Sequence, residues 1–591
     1  MAQLIIYKGE EKREIHADIG SNLLKELIKN GIYIDSPCGG MGLCGKCRVE
    51  IIDGKNKTYS LACRTIIDRD MEIRIPIAER RDAQIMTSGE AYVDIDPSIQ
   101  STIIELSKPS IEDQLSDVDR LEEALGARGA IPNSIMPDIS EILRQNSFKV
   151  QAIRYEDEIL SIAKAIDKNK DHYYGIAVDI GTTTIVGYLL DLKKGEELGL
   201  YSSLNPQSRH GADVITRIDY TMESKDGLNE MRDLIRDSIN IMVADLCSKS
   251  EVTPDSIYEI DIVGNTVMMH IFAGLPVKNI ALSPFIPVVG RRLELNARDI
   301  DIGINPNGKI VIPPMISGYI GADAIAAILS CNMHKDEEIS LLIDIGTNGE
   351  IALGNKDGIV LCSTAAGPAF EGARIECGLG GVEGAINRVF IHEELEFTTI
   401  KDAPAIGICG SGIVDVVAQM LKVGLIDSTG RMLSIDEIDD TFPKNIKDRV
   451  VSINDQPALI LQTDDKSPTG DIYISQKDIR EVQLAKGAIA AGIEILIDDM
   501  NISYEDIDNV YLAGGFGNYI DHTHAADIGL IPDALKNKIK TIGNGAGVGA
   551  KMMLLSKHMK KEADSIRDMS RYIELSARID FQTIFVDLLE F

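Results

Sequence analysis

No stretch of eighteen consecutive apolar residues occurs anywhere in the 591-residue chain, so no segment is expected to cross a bilayer. The first residues, MAQLIIYKGEEKREI, turn charged after seven positions and offer neither the apolar core nor the cleavage site of a secretory signal, so the expected location is cytoplasmic. Positive charge is also scarce. Lys and Arg number 60 against 92 Asp and Glu, a net charge of −32. No basic face could then neutralise a phosphate backbone, which excludes nucleic acid as a partner and leaves solubility as the plain reading of the excess. The excess is uneven: residues 1–76 hold 12 Lys and Arg against 11 Asp and Glu. Cysteine is too sparse for a disulfide framework, with nine in all, but four of them fall within residues 38–63. The other five (Cys247, Cys331, Cys362, Cys377 and Cys409) are scattered, and Cys377 and Cys409 are read as packing cysteines.

A composition of 44% hydrophobic and 26% charged residues is that of an ordinary globular protein, and the length calls for three or more domains. Residues 3–7 and 13–17 read as strands around a turn, and a helix follows from about Asn22 to Lys29, with Leu23, Leu24, Leu27 and Ile28 on one face. Arg48–Ile52 and Met71–Ile77 read as further strands, an order that suits a β-grasp. Residues 78–108 lose periodicity and read as a linker. Residues 109–172 read as a small middle domain, with helical patterns at Ile139–Leu143 and Ile159–Ile166. From 173 to 591, apolar runs closed by glycine and hydroxyl residues alternate with helices, an α/β pattern. Within it GIAVDIGTTTIVGYLL (175–190) and LLIDIGTNGEIALG (341–354) repeat one another, and their aspartates, Asp179 and Asp344, stand 165 residues apart.

The cysteine-rich loop reads Ser36-Pro-Cys38-Gly-Gly-Met-Gly-Leu-Cys44-Gly-Lys-Cys47, and Cys63 follows after fifteen residues. Four thiolates suit a [2Fe–2S] cluster, and Gly39, Gly40, Gly42 and Gly45 let the loop fold tightly around it. A zinc site would pair Cys-x₂-Cys with a second close pair, whereas Cys63 stands alone. Residues 1–77 resemble a ferredoxin of the plant/adrenodoxin type, and the Cys-x₅-Cys-x₂-Cys spacing is nearer the adrenodoxin form.

Asp179-Ile-Gly181-Thr182-Thr183-Thr184 ends an apolar strand in a glycine turn with hydroxyl groups and free N–H groups, which can hold phosphate oxygens. The leading Asp can hold Mg²⁺ through water. Asp344-Ile-Gly346-Thr347-Asn348-Gly-Glu350 offers the same chemistry, and Tyr511-Leu-Ala-Gly514-Gly515-Phe-Gly leaves backbone bare enough for a flat ring. In this order the three motifs resemble the two phosphate motifs and the adenosine motif of the sugar-kinase/actin ATPases. That resemblance implies two RNase-H-like lobes with ATP between them, Asp179 and Asp344 as the catalytic acids, and Ile408–Gly412 (with Gly410 and Ser411) and Asn544–Val548 as connecting or nucleotide-contacting segments. The expected fold is thus multidomain α+β and α/β: an N-terminal β-grasp ferredoxin, a small middle domain and a C-terminal duplicated RNase-H-like two-lobed ATPase.

Together the halves resemble the reductive activators of corrinoid-dependent enzymes, which use ATP to return Co(II) corrinoid to Co(I). The matching stretches include Pro109-Ser-Ile-Glu-Asp113 with Ser116-Asp117 and Arg120-Leu121, Asn205-Pro-Gln207 with Gly211-Ala-Asp213, Gly264-Asn-Thr266, and Gly367-Pro-Ala-Phe-Glu-Gly372. The resemblance implies a [2Fe–2S] cluster on Cys38, Cys44, Cys47 and Cys63, ATP with Mg²⁺, an upstream low-potential electron donor, and a homodimer. Its partner would be the corrinoid protein of a methyltransferase or corrinoid iron–sulfur system. A plant-type cluster sits near about −400 mV, and each 59 mV on one electron is about 1.4 kcal/mol, so an ATPase is a reasonable companion for a harder reduction. No Asp-x-His-x-x-Gly occurs in the chain, which assigns the corrinoid to a partner, and no C-terminal Cys-x₂-Cys-x₂-Cys run is present. The competing readings are an activator of another low-potential metalloenzyme and a small-molecule kinase with an accessory ferredoxin. His522-Thr-His524 reads as a solvated loop end, Met268-Met-His270 as core or interface on a helix, and Ile584–Phe591 as a packed end.

Overall fold

Alternating apolar residues in β1 (Ala2–Lys8) put Ala2, Leu4 and Ile6 on the buried face of a five-stranded sheet. The sheet also holds β2 (Glu11–Ala17), β3 (Arg48–Asp53), β4 (Asn56–Leu61) and β5 (Met71–Ile75), in the order β2-β1-β5-β3-β4 with β1 parallel to β5. α1 (Leu23–Lys29) covers it through Leu23, Leu24 and Leu27 and is capped by Asn22, which accepts from the Lys25 N–H. This β-grasp has a hydrophobic cluster of its own. A computed structural model describes the chain except for residues 9–10, 31, 33, 35–46, 54–55, 76–92, 165–171, 212, 439–441, 464–465 and 515–519.

A second unit is the three-stranded sheet β6 (Ile99–Glu105), β7 (Lys149–Tyr155) and β8 (Glu158–Lys164), all antiparallel, covered by α2 (Asp117–Leu125) and α3 (Met136–Gln145). Two local expectations change here. The helical reading of Ile159–Ile166 is corrected, because residues 158–164 form β8: a two-residue turn at Glu156–Asp157, with Glu156 at φ 49°, folds the chain straight back onto β7. The segment read as linker contains β6, which pairs along β7 from Ile99↔Tyr155 to Glu105↔Lys149. Arg120, almost wholly buried, explains the Pro109–Leu121 stretch in structural terms. Its guanidinium donates to Asp113 Oδ1 (2.9 Å) and Ser107 Oγ (2.9 Å) and so pins the loop.

The remainder folds as two lobes of one topology. In the first, β9 (Tyr174–Ile180), β10 (Thr184–Asp191) and β11 (Glu196–Leu204) form an antiparallel meander, and β12 (Ile257–Gly264) and then β14 (Lys309–Ile312) add in parallel on the other side of β9. β13 (Leu293–Asn296) closes the edge. In the second lobe, β15 (Ile339–Ile345), β16 (Gly349–Asn355) and β17 (Gly358–Thr364) repeat the meander. Two small sheets follow, β18 (Ala385–Ile391) with β19 (Leu395–Thr399) and β20 (Gly407–Ile408), and β21 (Val450–Ile453) with β22 (Gln456–Gln462) and β23 (Ile472–Ser475). Then β24 (Ile507–Ala513) and β25 (Ile539–Gly543) add in parallel beside β15, and β26 (Ser570–Tyr572) pairs with β17. The strand orders β11-β10-β9-β12-β14 and β17-β16-β15-β24-β25 coincide, so the repeat read from the sequence is a duplicated RNase-H-like unit.

Helices fill both faces: α4 (Val214–Glu223), α5 (Gly227–Ser250), α6 (Thr266–Ala273) and α7 (Ala322–Cys331) in the first lobe, α8 (Gly410–Lys422) and α9 (Gln476–Met500) in the second. Met268, Met269 and His270 on α6 are core, as expected. His270 donates from Nδ1 to the Thr266 carbonyl and accepts at Nε2 from Val288 N–H. His522 and His524 open a short helix, α10 (His522–Asp527), and His524 is bound to buried Asp415 (2.7 Å). After β25 the chain crosses back: α11 (Gly545–Leu555) and α12 (Lys557–Met569) pack into the first lobe's core. Gly549 allows this crossing, since a Cβ there would lie 2.1 Å from the Ala326 carbonyl on α7. α13 (Phe581–Asp587) ends the chain against α9, where Lys486 and Gln483 donate to the carbonyls of Glu590 and Leu589. Among the described residues no helix is long and apolar enough to cross a membrane.

Candidate functional site

Each repeat ends its first strand the same way. Asp179 and Asp344 are the penultimate residues of β9 and β15, and a tight turn then leads into β10 and β16. The turns close through Gly181 N–H to the Thr184 carbonyl (2.9 Å) and Gly346 N–H to the Asn348 carbonyl (3.0 Å). The two hairpins meet across the lobe boundary. Glu371 accepts from Thr183 Oγ1 (2.8 Å) of the first hairpin and from Thr347 Oγ1 (3.1 and 3.2 Å) of the second.

Behind the first hairpin the supports are side chains from distant segments. Fully buried Arg217 donates to the Thr182 and Gly211 carbonyls and to Gln207 Oε1. Asn205 donates to the Gly181 carbonyl (2.8 Å) while its backbone N–H reaches the Thr183 carbonyl (2.9 Å). Asn265, which caps α6, donates to Thr182 Oγ1 at 3.4 Å. The hairpin is therefore held rigidly by three of the sequence stretches singled out above.

Carboxylates crowd the same place. Asp179, Asp323 of the first turn of α7 and Asp344 are each pushed up to about 7, chiefly by burial. Mutual repulsion adds to it: Asp344 on Asp179, Asp179 on Asp323, and Asp323 with Glu371 on Asp344. A hydrogen bond from Asn544, the cap of α11, pulls Asp179 back. Glu350 lies directly opposite Asp344 in the β15–β16 ladder, and burial with Asp323 and Asp344 raises its carboxyl too. Burial also raises Glu371, against hydrogen bonds from Thr183 and Thr347 and the charge of Arg217. Of these five acids only Glu371 feels the Arg217 guanidinium, an arrangement poor for a bare polyphosphate and well suited to one that arrives with a divalent cation. Among the described residues no three His, Cys, Asp or Glu side chains could hold a metal ion unaided. Mg²⁺, which keeps its waters and phosphate oxygens, needs no such cage.

Gly514 follows β24 at φ +91°, and a Cβ on it would lie 2.9 Å from Asp344 Oδ1, so bare backbone does border the second acid. Gly515 lies outside the described residues. Gly410 and Ser411 open α8, and the Ser411 hydroxyl donates to the Asn387 carbonyl (3.0 Å), turned to β18 and not to the hairpins. Asp323 and Arg217 were not picked out from the sequence. The tripeptide Gly-Ala-Asp occurs at both 211–213 and 321–323, and each copy leads into a helix; that recurrence was the available signal.

At the other end, Cys38 and Cys44 lie outside the described residues. Cys47, fully buried, and half-exposed Cys63 are not disulfide-bonded, and the Cys63 N–H donates to Cys47 Sγ at 3.5 Å. An amide aimed at sulfur stabilises thiolate, so these two residues fit a cluster's ligand set. Cys409 is buried with its thiol on the Ile386 carbonyl, and Cys377 packs beside Tyr473, both as packing cysteines would.

Fold and site together define a class: a 2Fe-2S ferredoxin domain joined to an ATPase of the ASKHA (sugar-kinase/actin) type. Family models match accordingly: a 2Fe-2S iron-sulfur cluster binding domain over residues 6–68, the RACo linker region over 88–168, the RACo middle region over 174–336, and the C-terminal ASKHA domain of RACo over 338–591. The chain is 34% identical over 550 residues to the corrinoid activation enzyme RamQ of Eubacterium limosum, covering 92% of each. It is 28% identical over 420 residues to the [Co(II) methylated amine-specific corrinoid protein] reductase of Methanosarcina barkeri, covering 65% of this chain and 70% of that one. A solved structure of a reductive activator for a corrinoid, iron-sulfur protein is similar with a TM-score of 0.77 at 32% identity, covering 100% of this chain and 98% of that one. The chain belongs to the RACo family.

Proposed function

We propose that the protein is an ATP-hydrolysing electron-transfer activator, which reduces inactive Co(II) to Co(I) in a partner corrinoid protein. The observation that carries this reading is the meeting of two Asp-Ile-Gly-Thr hairpins on one carboxylate, in a chain that also carries a ferredoxin domain and belongs to this family. When bound, the cluster supplies a low-potential one-electron donor and Mg²⁺–ATP supplies the driving free energy.

The chain's own residues have the following roles. Cys38, Cys44, Cys47 and Cys63 hold the cluster. Asp179 and Asp344 would orient the hydrated Mg²⁺; Gly181 and Gly346 shape the turns that their own N–H groups close, and the hydroxyls and remaining N–H groups of Thr182–Thr184 and Thr347–Asn348 would receive phosphate oxygens. Gly514 and Gly515 border the adenosine, and Gly410 and Ser411 contact the nucleotide through the backbone at the start of α8, the Ser411 hydroxyl being held by the Asn387 carbonyl. The domains are read as 1–77, 78–108, 109–172 and 173–591, with β6 of the second segment built into the sheet of the third. A partner holds the corrinoid, an upstream low-potential donor reduces the cluster, two copies form a homodimer, and the setting is cytoplasmic.

The test is to mix the reduced protein with Co(II) corrinoid proteins, with and without Mg²⁺–ATP, and follow the cobalt spectrum and phosphate release. A cognate partner should pass to Co(I) only with ATP and should speed a slow basal hydrolysis. Its methylated state should speed it far less. Rapid hydrolysis indifferent to every corrinoid protein, with cobalt left as Co(II), would refute the reading.

A further inference from the structure

Glu371 occupies an unusual position for a carboxylate. The hydroxyls of Thr183 and Thr347 belong to the two turns that a triphosphate would lie between, and both are already spent on its oxygens. A Cβ on Gly346 would lie 3.6 Å from Glu371 Oε1, so the carboxylate rests against the second turn itself. Its backbone has little freedom. Phe370 beside it is buried in the second lobe's core, and the segment is wound by Glu371 N–H to the Pro368 carbonyl (3.1 Å), Gly372 N–H to the Ala369 carbonyl (2.9 Å) and Ala373 N–H to the Pro368 carbonyl (3.1 Å). Gly367 and Gly372, at φ +74° and +75°, set the turns at its two ends. The side chain is thus presented from a fixed base and can leave the hydroxyls only by rotating.

We infer that Glu371 is a clasp: in the nucleotide-free protein its carboxylate stands in for the phosphate oxygens and ties the first lobe's hairpin to the second's. It is a positioning residue, acting through Thr183 and Thr347. Nucleotide binding exchanges one anionic acceptor for another, so the lobes stay linked in both states. A ligand must displace the clasp before it gains the hydroxyls, which lowers the affinity of the empty protein by the strength of those bonds. The charge of Glu371, with Asp323, already raises the Asp344 carboxyl beside it, so a second anion added to the same space is opposed, and carboxylate and phosphate do not share the two hydroxyls. This inference rests on the nucleotide reading given above.

The experiment compares the full-length wild type with Glu371→Ala and Glu371→Gln, binding the non-hydrolysable Mg²⁺–adenylyl imidodiphosphate by calorimetry. Hydrogen exchange is followed at the amides of residues 181–184 and 346–349. Removal of the clasp should tighten the analogue about three- to tenfold in Glu371→Ala, with a smaller gain in Glu371→Gln, which keeps one acceptor oxygen. Without nucleotide the hairpin amides should exchange faster in Glu371→Ala than in the wild type, and the analogue should restore their protection. A residue that merely supports the fold would weaken binding in both variants. Equal or weaker binding by both variants, with the wild type binding normally, overturns the clasp alone. No binding by the wild type overturns the nucleotide reading with it. If Glu371→Ala does not fold, Glu371→Gln decides by the same sign of change.

Discussion

Gly514→Ala tests the close approach of β24 to the second hairpin. The residue sits at φ +91°, where an L side chain is strained, and its added Cβ would lie 2.9 Å from both Asp344 Oδ1 and the Ile345 carbonyl. The backbone conformation alone costs roughly 1–2 kcal/mol. The Ile345 carbonyl belongs to β15, which is paired in parallel with β24 up to Asp344↔Ala513, so it cannot retreat without loosening the ladder. The Asp344 carboxylate is the softer neighbour and swings away. A total of roughly 2–3 kcal/mol corresponds to a fall of about 2–4 °C in Tm for a domain that spans residues 173–591. Displacement of Asp344 should also weaken Mg²⁺–nucleotide about tenfold or more, so the stabilisation by a fixed ligand concentration shrinks with it. Scanning fluorimetry with and without Mg²⁺–nucleotide reads both effects. Gly358→Ala is the control, because a Cβ there meets nothing within 4 Å in the same lobe. If Gly514→Ala melts with the wild type and keeps its full nucleotide shift, the packing argument is wrong.

The two hairpin acids should be indispensable: Asp179→Ala or Asp344→Ala should lower ATP hydrolysis by about 10²-fold or more with the cluster absorption intact, and full activity in both would contradict their role. Cys63→Ser and Cys44→Ala should each abolish the 2Fe-2S absorption after anaerobic reconstitution while nucleotide binding is unchanged; a zinc-loaded, iron-free product would overturn the ferredoxin reading. Asp179, Asp323 and Asp344, pushed up to about 7, hold protons in the nucleotide-free protein that the unfolded chain releases near pH 4. Their protonation therefore stabilises the empty protein fully below about pH 4, and that contribution is lost progressively as pH rises to about 7. Mg²⁺–nucleotide needs the ionised forms, so its affinity should rise between pH 6 and 8, and a flat profile by calorimetry would remove these acids from the site.

Much of the molecule was legible because its chemistry is local. A strand that ends in Asp-Ile-Gly-Thr states both its secondary structure and its turn, and two copies at matching places already declare the duplication that the sheet orders repeat. The cluster loop is legible for the same reason, with three cysteines set among glycines and a fourth nearby. Short apolar runs were less informative: Ile159, Leu160 and Ile162 fit either period, and only the turn at Glu156–Asp157 and the partner β7 made them a strand. What tertiary structure decided was convergence. Glu371 lies 188 residues from Thr183, and Asn544 lies 356 residues from Tyr188, with which it shares the wall beside Asp179. Arg217 reaches the first hairpin from a helix that begins beyond it. No local pattern encodes such distances, because they follow from how two copies of one sheet meet at their hairpins and from a chain that crosses back between them. The sequence by itself determined which groups could bind phosphate; the fold alone decided that both sets of hydroxyls would meet on a single carboxylate.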